Sequence, residues 1–285
     1  MGPSLLVTGG SGFLGGAVVA RAARDWRVSS TWASREPLGA PGVSYRLDLA
    51  DADAVRRVVE SAEPAVVIHT AIPRDEAEFD DAIVRGSETL ARQARAAGAC
   101  LVHVSTDMVF DGDHAPYDED APTAPITAYG RAKAEAERRV RQACPGAVIA
   151  RLPLLYALDP PDPRGAKMAS DLEAGKPITL FTDERRSPAE VGDVAQALLE
   201  VAGRLARHHE LPPVIHLGGP EVLTRWEFGI SFLEALGLST EGVRAQPLAE
   251  SGLVRPRDLT LVSRRTPPEI TRGLRPFATV AAALR

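Results

Sequence analysis

Leu5-Leu6-Val7-Thr8-Gly9-Gly10-Ser11-Gly12-Phe13-Leu14-Gly15 decides the fold. An apolar, strand-like run feeds directly into a glycine-rich turn, and the residues after it, Gly16 to Arg24, read as a helix. In such a turn the first glycine makes the tight bend, the second lets backbone approach a pyrophosphate, and the third lets helix and strand pack closely. The helix N-terminus then offers free N–H groups and a positive dipole end to the anion. Glycine motifs alone are weak signals, but here strand, spacing and following helix agree. No Gly-Lys-Ser/Thr follows, which excludes a nucleoside-triphosphate loop. The stretch therefore implies a bound nicotinamide dinucleotide, with Gly9, Ser11, Gly12, Phe13, Leu14 and Gly15 as its contacts.

Outward from this turn, short β-branched runs alternate with helical patterns. Strands are expected at Arg27 to Trp32, Val43 to Leu47, Ala65 to Thr70, Cys100 to Thr106 and Ala147 to Leu152. Helices are expected from Asp51 to just before Pro64, from Glu76 to Ala97 and from Ala128 to Gln142. This alternation predicts an α/β fold, a Rossmann doubly wound parallel sheet with helices on both faces. Runs such as Ala65-Val66-Val67-Ile68 are apolar on both faces, as a covered sheet requires. The pattern changes near Pro153. Leu158 to Arg164 reads as a polar, proline-rich surface loop. Then come a helix Lys167 to Ala174, a strand Ile178 to Phe181, a helix Ala189 to Arg207, a strand Val214 to Leu217 and a helix Arg225 to Leu236. Residues 1–156 are expected to form the dinucleotide-binding domain, with part of 185–207 returning to it. Residues 157–285 are expected to form mainly a smaller, discontinuous α/β substrate domain.

Composition narrows the function classes. The chain has 285 residues, 45% of them hydrophobic, and a net charge of −5. Its scattered basic residues do not suggest nucleic acid or an anionic membrane. No apolar run reaches the roughly 20 residues of a membrane span. The N-terminus has no basic stretch ahead of its apolar run and reads as a first strand, so a cytoplasmic location is the default. Cys100 and Cys144 give no disulfide framework and the histidines no ligand spacing, so no metal is expected. Among 33 basic residues only Lys133, Lys167 and Lys176 are lysines, and asparagine is absent. A lysine in this chain is therefore informative.

The choice of dinucleotide turns on the end of the second strand. A carboxylate about 20 residues past the glycines would hold a ribose 2′-hydroxyl. That place falls to Arg35, after Ser34. A guanidinium suits a 2′-phosphate by charge and bidentate geometry, which favours NADP(H) over NAD(H). Glu36 next door keeps NAD(H) open.

A second constellation carries chemistry. Ser105-Thr106-Asp107 ends a strand, and Tyr129 and Lys133 lie four apart on the following helix, sharing a face. A tyrosine titrates near 10, and a neighbouring ammonium with a positive nicotinamide would favour its phenolate. Tyr129 can then protonate a carbonyl oxygen as hydride arrives, with Thr106 hydrogen-bonding that oxygen and Lys133 holding the nicotinamide ribose.

These residues resemble the extended short-chain dehydrogenase/reductase superfamily, and within it the dTDP-4-dehydrorhamnose reductases and their relatives. The resemblance runs over nearly the whole chain. It rests on Thr8 to Gly15, Val104 to Gly112, Pro116 to Thr123 and Tyr129 to Glu135, then on Ser187-Pro188, Gly192 to Ala195 and Arg255-Pro256-Arg257. It implies Thr106, Tyr129 and Lys133 as the catalytic triad of a reductase acting on the 4-keto group of a dTDP-deoxysugar. Asp48 and Leu49 fall where such proteins contact adenine. Thr70, Ala71 and Ile72 fall on the ribose and nicotinamide side, with Leu152. Asp107, Met108, Val109, Leu154 and Arg186 are the implied substrate side, and Arg185 and Arg186 the candidates for reaching a diphosphate. The chain also departs from the pattern. Met108 replaces a usual tyrosine, the segment Arg151 to Tyr156 lacks a usual tryptophan, Ala157 replaces a glycine, and Ile83 stands where an asparagine is common. A pocket of methionine and leucine is more apolar than a hydroxylated sugar needs. Two further readings therefore stand beside reduction: a sugar-nucleotide epimerase or dehydratase with retained NAD(P), and a non-catalytic NADP-binding regulatory subunit. A homodimer is a further possibility.

Overall fold

A computed structural model describes residues 2–37, 39–73 and 75–284. The first half alternates as the hydrophobic pattern requires. In order come β1 (Ser4–Thr8), α1 (Phe13–Ala22), β2 (Arg27–Trp32), β3 (Val43–Arg46), α2 (Ala52–Ala62), β4 (Val66–His69), α3 (Gly86–Ala96), β5 (Cys100–Thr106), α4 (Ala128–Ala143) and β6 (Val148–Leu152). The second half carries β7 (Leu155–Tyr156), α5 (Pro163–Glu173), β8 (Ile178–Phe181), β9 (Arg185–Arg186), β10 (Ala189–Glu190), α6 (Val191–Ala206) and β11 (Val214–His216). It ends with β12 (Leu223–Thr224), α7 (Arg225–Ala235), β13 (Val243–Gln246), α8 (Pro268–Thr271) and α9 (Phe277–Ala282).

Seven strands form one parallel sheet in the order β11-β6-β5-β4-β1-β2-β3. β1, β4 and β6 are buried throughout, because helices cover both faces. On one face Val18 and Val19 of α1 and Val194, Leu198 and Val201 of α6 pack on the sheet. On the other, Val55 and Val59 of α2, Leu90 and Ala94 of α3 and Val140 of α4 do so. The chain direction across the sheet reverses between β1 and β4. The crevice outside the carboxyl ends of these two strands is where such sheets take ligands.

The second half returns to this sheet twice, through α6 and through β11. The rest packs around Tyr156, Phe228, Phe232 and Phe277, beside the parallel pair β8–β13 and the antiparallel pair β9–β12. Among the described residues no helix is long and apolar enough to cross a membrane, and no cluster of three His, Cys, Asp or Glu could hold a metal.

Three expectations about elements are corrected. The single helix expected over Glu76 to Ala97 is a 3-10 turn (Glu76–Glu78), a π-helical segment (Phe79–Arg85) and then α3. The wider π turn sends Ile83 and Val84 into the interior. The polar loop expected over Leu158 to Arg164 is ordered: Leu158 is buried and bridges to Pro161, and Asp162 caps α5 by accepting from the amides of Arg164 (3.0 Å) and Gly165 (3.3 Å). Asp-Pro at 162–163 is thus a helix start, a proline in the first turn losing no hydrogen bond, rather than a break. Ala189 and Glu190 do not open α6. They pair with β7, and the Glu190 side chain caps the helix by accepting from the Asp193 amide at 2.8 Å.

Candidate active site

A cavity of about 1250 Å³ runs along the carboxyl ends of the strands and into the second half of the chain. Its floor is the glycine turn. Gly9 sits at φ +72°, and a Cβ there would lie 2.8 Å from the Ala71 Cα. A Cβ on Gly15 would lie 2.2 Å from the Gly9 carbonyl oxygen and 2.7 Å from the Thr70 hydroxyl. No side chain caps the N-terminus of α1, so its first amides point into the crevice without a side-chain partner. Ser11, Gly12, Phe13 and Leu14 complete this wall, facing Thr70, Ala71 and Ile72 across the switch point. The close backbone approach and the uncapped helix fit a dinucleotide pyrophosphate.

At the β2–β3 end the wall holds Asp48, Leu49 and Ser34, as the sequence suggested. Arg35, next to Ser34, is exposed and is not among the residues that line the cavity. The cation that does line this end is Arg46, last residue of β3, whose guanidinium sits over the Trp32 ring at 5.8 Å from its centroid.

Thr106, Tyr129 and Lys133 come together on the opposite wall, with Leu152 at the end of β6 beside them. β5 delivers Thr106 at its carboxyl end, where the side chain caps a short turn. Its hydroxyl donates to Asp107 Oδ1 (3.1 Å) and accepts from the Met108 amide (3.2 Å). Thr127 caps α4 by accepting from the Gly130 amide (3.1 Å), which fixes Tyr129 in the first turn and Lys133 one turn later. Phe79 of the π segment packs edge-on against Tyr129 at 5.8 Å between ring centroids.

Burial dominates the electrostatics of this wall. Burial, and then the neighbouring Asp107, push the Tyr129 phenol up to about 12. Lys133 does not lower it. Its Nζ instead donates to the Val104 carbonyl at 2.6 Å, and burial pulls its ammonium down to about 8 against the opposing pull of Glu137. Burial lifts Asp107 to about 6 despite Arg186, and its Oδ2 has no partner among the described residues. Beneath the site Glu137 accepts from Ser105 and pairs with Arg151 at 2.8 Å. His69 bonds Thr8 (2.6 Å) and Ser87 (2.9 Å), and burial holds it neutral, near 3.

Met108, Leu154 and Arg186 also line the cavity. Val109 does not. The 3-10 turn at Asp107–Val109 rotates it into a buried cluster with Phe110, Tyr117, Leu259 and Leu261. Arg185 is exposed and outside the wall. The sequence reading missed Arg164, Arg225, Arg255 and Glu184. Glu184 is fully buried, 2.9 Å from Arg186, 2.7 Å from Arg255 and 4.0 Å from Arg225. Glu184 faces three arginines, while Arg164 lies 3.6 Å from Asp162, so the arginines outnumber the carboxylates at this end of the cavity. Burial and the other arginines pull Arg225 down to about 10, against Glu184. Only Arg255 had a local signal, in its Arg-Pro-Arg segment. Arg164 and Arg225 come from α5 and α7, and Glu184 from the position just before β9, brought together by folding.

This fold and site define an extended short-chain dehydrogenase/reductase. The chain belongs, over residues 3–280, to the family described as the RmlD substrate binding domain. It is 30% identical to methionine adenosyltransferase 2 subunit beta of Danio rerio over 275 residues, covering 92% of this chain and 83% of that one. It is 29% identical to dTDP-4-dehydrorhamnose reductase of Mycobacterium tuberculosis over 267 residues, covering 88% and 81%. The structure resembles dTDP-4-dehydrorhamnose reductase of Bacillus anthracis in complex with NADP, with a TM-score of 0.78 at 21% identity, covering 100% and 99%.

Proposed function

We propose that this protein reduces a keto group with NADP(H), the 4-keto group of a dTDP-activated deoxysugar being the substrate that fits best. The observation that carries the reading is the convergence of Thr106, Tyr129 and Lys133 on one cavity with the glycine turn. A reduced nicotinamide, when bound, supplies the hydride. Tyr129, held protonated well above neutral pH, donates its proton to the carbonyl oxygen. Thr106 turns its hydroxyl from Asp107 to the same oxygen. Lys133, anchored on this wall by the Val104 carbonyl, holds the nicotinamide ribose. The chain's second half, mainly 157–285, supplies the substrate wall, where Arg164, Arg186, Arg225 and Arg255 suit a diphosphate.

The test is NADPH consumption followed at its absorbance, with an enzymatically prepared dTDP-4-keto-6-deoxysugar. Tyr129→Phe should lower kcat about 10²- to 10⁴-fold and leave the NADPH Kd unchanged. Product change without net cofactor oxidation would replace reduction by epimerisation. A second reading is a non-catalytic, cofactor-binding regulatory subunit. It is favoured by the likeness to methionine adenosyltransferase 2 subunit beta and by Met108 and Leu154 on the substrate wall. Cofactor binding without turnover on any keto sugar would establish it.

A further inference from the structure

We infer that Arg46, seated on the indole of Trp32, selects the 2′-phosphorylated dinucleotide, and that Arg35 does not. The inference rests on the dinucleotide reading of the cavity and adds the residue that discriminates within it. β2 and β3 run parallel in a register that sets Trp32 beside Arg46, so both side chains leave the same face at the strands' carboxyl ends. Both line the cavity, next to Ala33 and Ser34. The indole is half-buried, with its Nε1 shut away from solvent and without a partner among the described residues, so it forms a fixed apolar platform.

A guanidinium stacked on such a platform keeps its donors in one plane and free for an anion. Arg46 has no carboxylate within ion-pair distance among the described residues, whereas Arg186 and Arg255 at the other end share Glu184. Its charge is therefore uncompensated. The nearest acid along the chain, Asp48, is turned to the Ala50 amide at 2.9 Å. No carboxylate lines the cavity from the end of β2, where one would hold unphosphorylated ribose hydroxyls. Ser34 adds a hydroxyl donor on the same wall. A bidentate guanidinium–phosphate contact at this position favours NADPH over NADH.

The experiment is equilibrium titration of NADPH and of NADH into the intact protein, followed by fluorescence of the reduced nicotinamide, so turnover plays no part. Wild type should bind NADPH at least tenfold more tightly than NADH. Arg46→Ala should remove that preference by weakening NADPH alone, and Trp32→Leu should reduce it by loosening the platform. Arg35→Ala should change the ratio less than threefold. Equal losses of both cofactors in Arg46→Ala, or a larger drop in the ratio from Arg35→Ala, would overturn the inference. So would a wild type with no preference. A wild type that binds neither cofactor would overturn the dinucleotide reading as well.

Discussion

Asp107 ties the stability of the fold to pH. Its carboxyl is buried, and its folded-state pKa stands at about 6 against an ordinary 3.8. An acid shifted this way holds its proton more tightly folded than unfolded. Stability therefore falls as pH rises from about 3.8 to about 6, and above that the ionised group carries the whole cost, roughly 3 kcal/mol. Asp107→Asn should raise the urea midpoint at pH 7.5 and leave it nearly unchanged at pH 4. Equal effects at the two pH values, or destabilisation at pH 7.5, would contradict this. The same scale shows what one residue's sequence context can carry. Tyr129 and Lys133 could be picked out because helical spacing alone sets them on one face. Met108 and Val109 could not be told apart, because a 3-10 turn at a strand end, with no periodicity of its own, faces one to the cavity and the other to the core.

At the scale of elements, β5, α4 and β6 meet through Ser105, Glu137 and Arg151, next to Thr106 and Lys133. Glu137 and Arg151 are each only 6% exposed. Breaking a buried pair by removing one charge leaves the other uncompensated, which costs about 3–5 kcal/mol. Arg151 already has one unpartnered nitrogen, so it has little else to turn to. Glu137→Gln should therefore lower stability by about that much in denaturant, while Glu60→Gln, in the exposed pair with Arg56, should cost under about 1 kcal/mol. Similar losses in the two variants would contradict the account. The strands were legible as elements because a sheet covered on both faces leaves continuous apolar runs. The π segment and the start of α5 were not. An inserted residue in a helix leaves the hydrophobic pattern nearly intact, and Asp-Pro signals a helix start and a break alike.

For the whole molecule, the cavity has one wall fixed by local sequence and one assembled by folding. The glycine turn, with its strand and helix, is one continuous stretch from Ser4 to Ala22 and could be read directly. The arginine wall draws on Arg164, Arg186, Arg225 and Arg255. The family resemblance pointed to Arg186 and to the Arg255 segment, but in a chain whose basic residues are nearly all arginine Arg164 and Arg225 do not stand out. Hydride transfer onto a keto carbon leaves an isotopic trace. With NADPH carrying deuterium at the transferred position of the nicotinamide C4, the alcohol formed from a dTDP-4-keto-6-deoxysugar should carry one deuterium at C4 of the sugar. A product with no deuterium, or bound cofactor with no product, would contradict it.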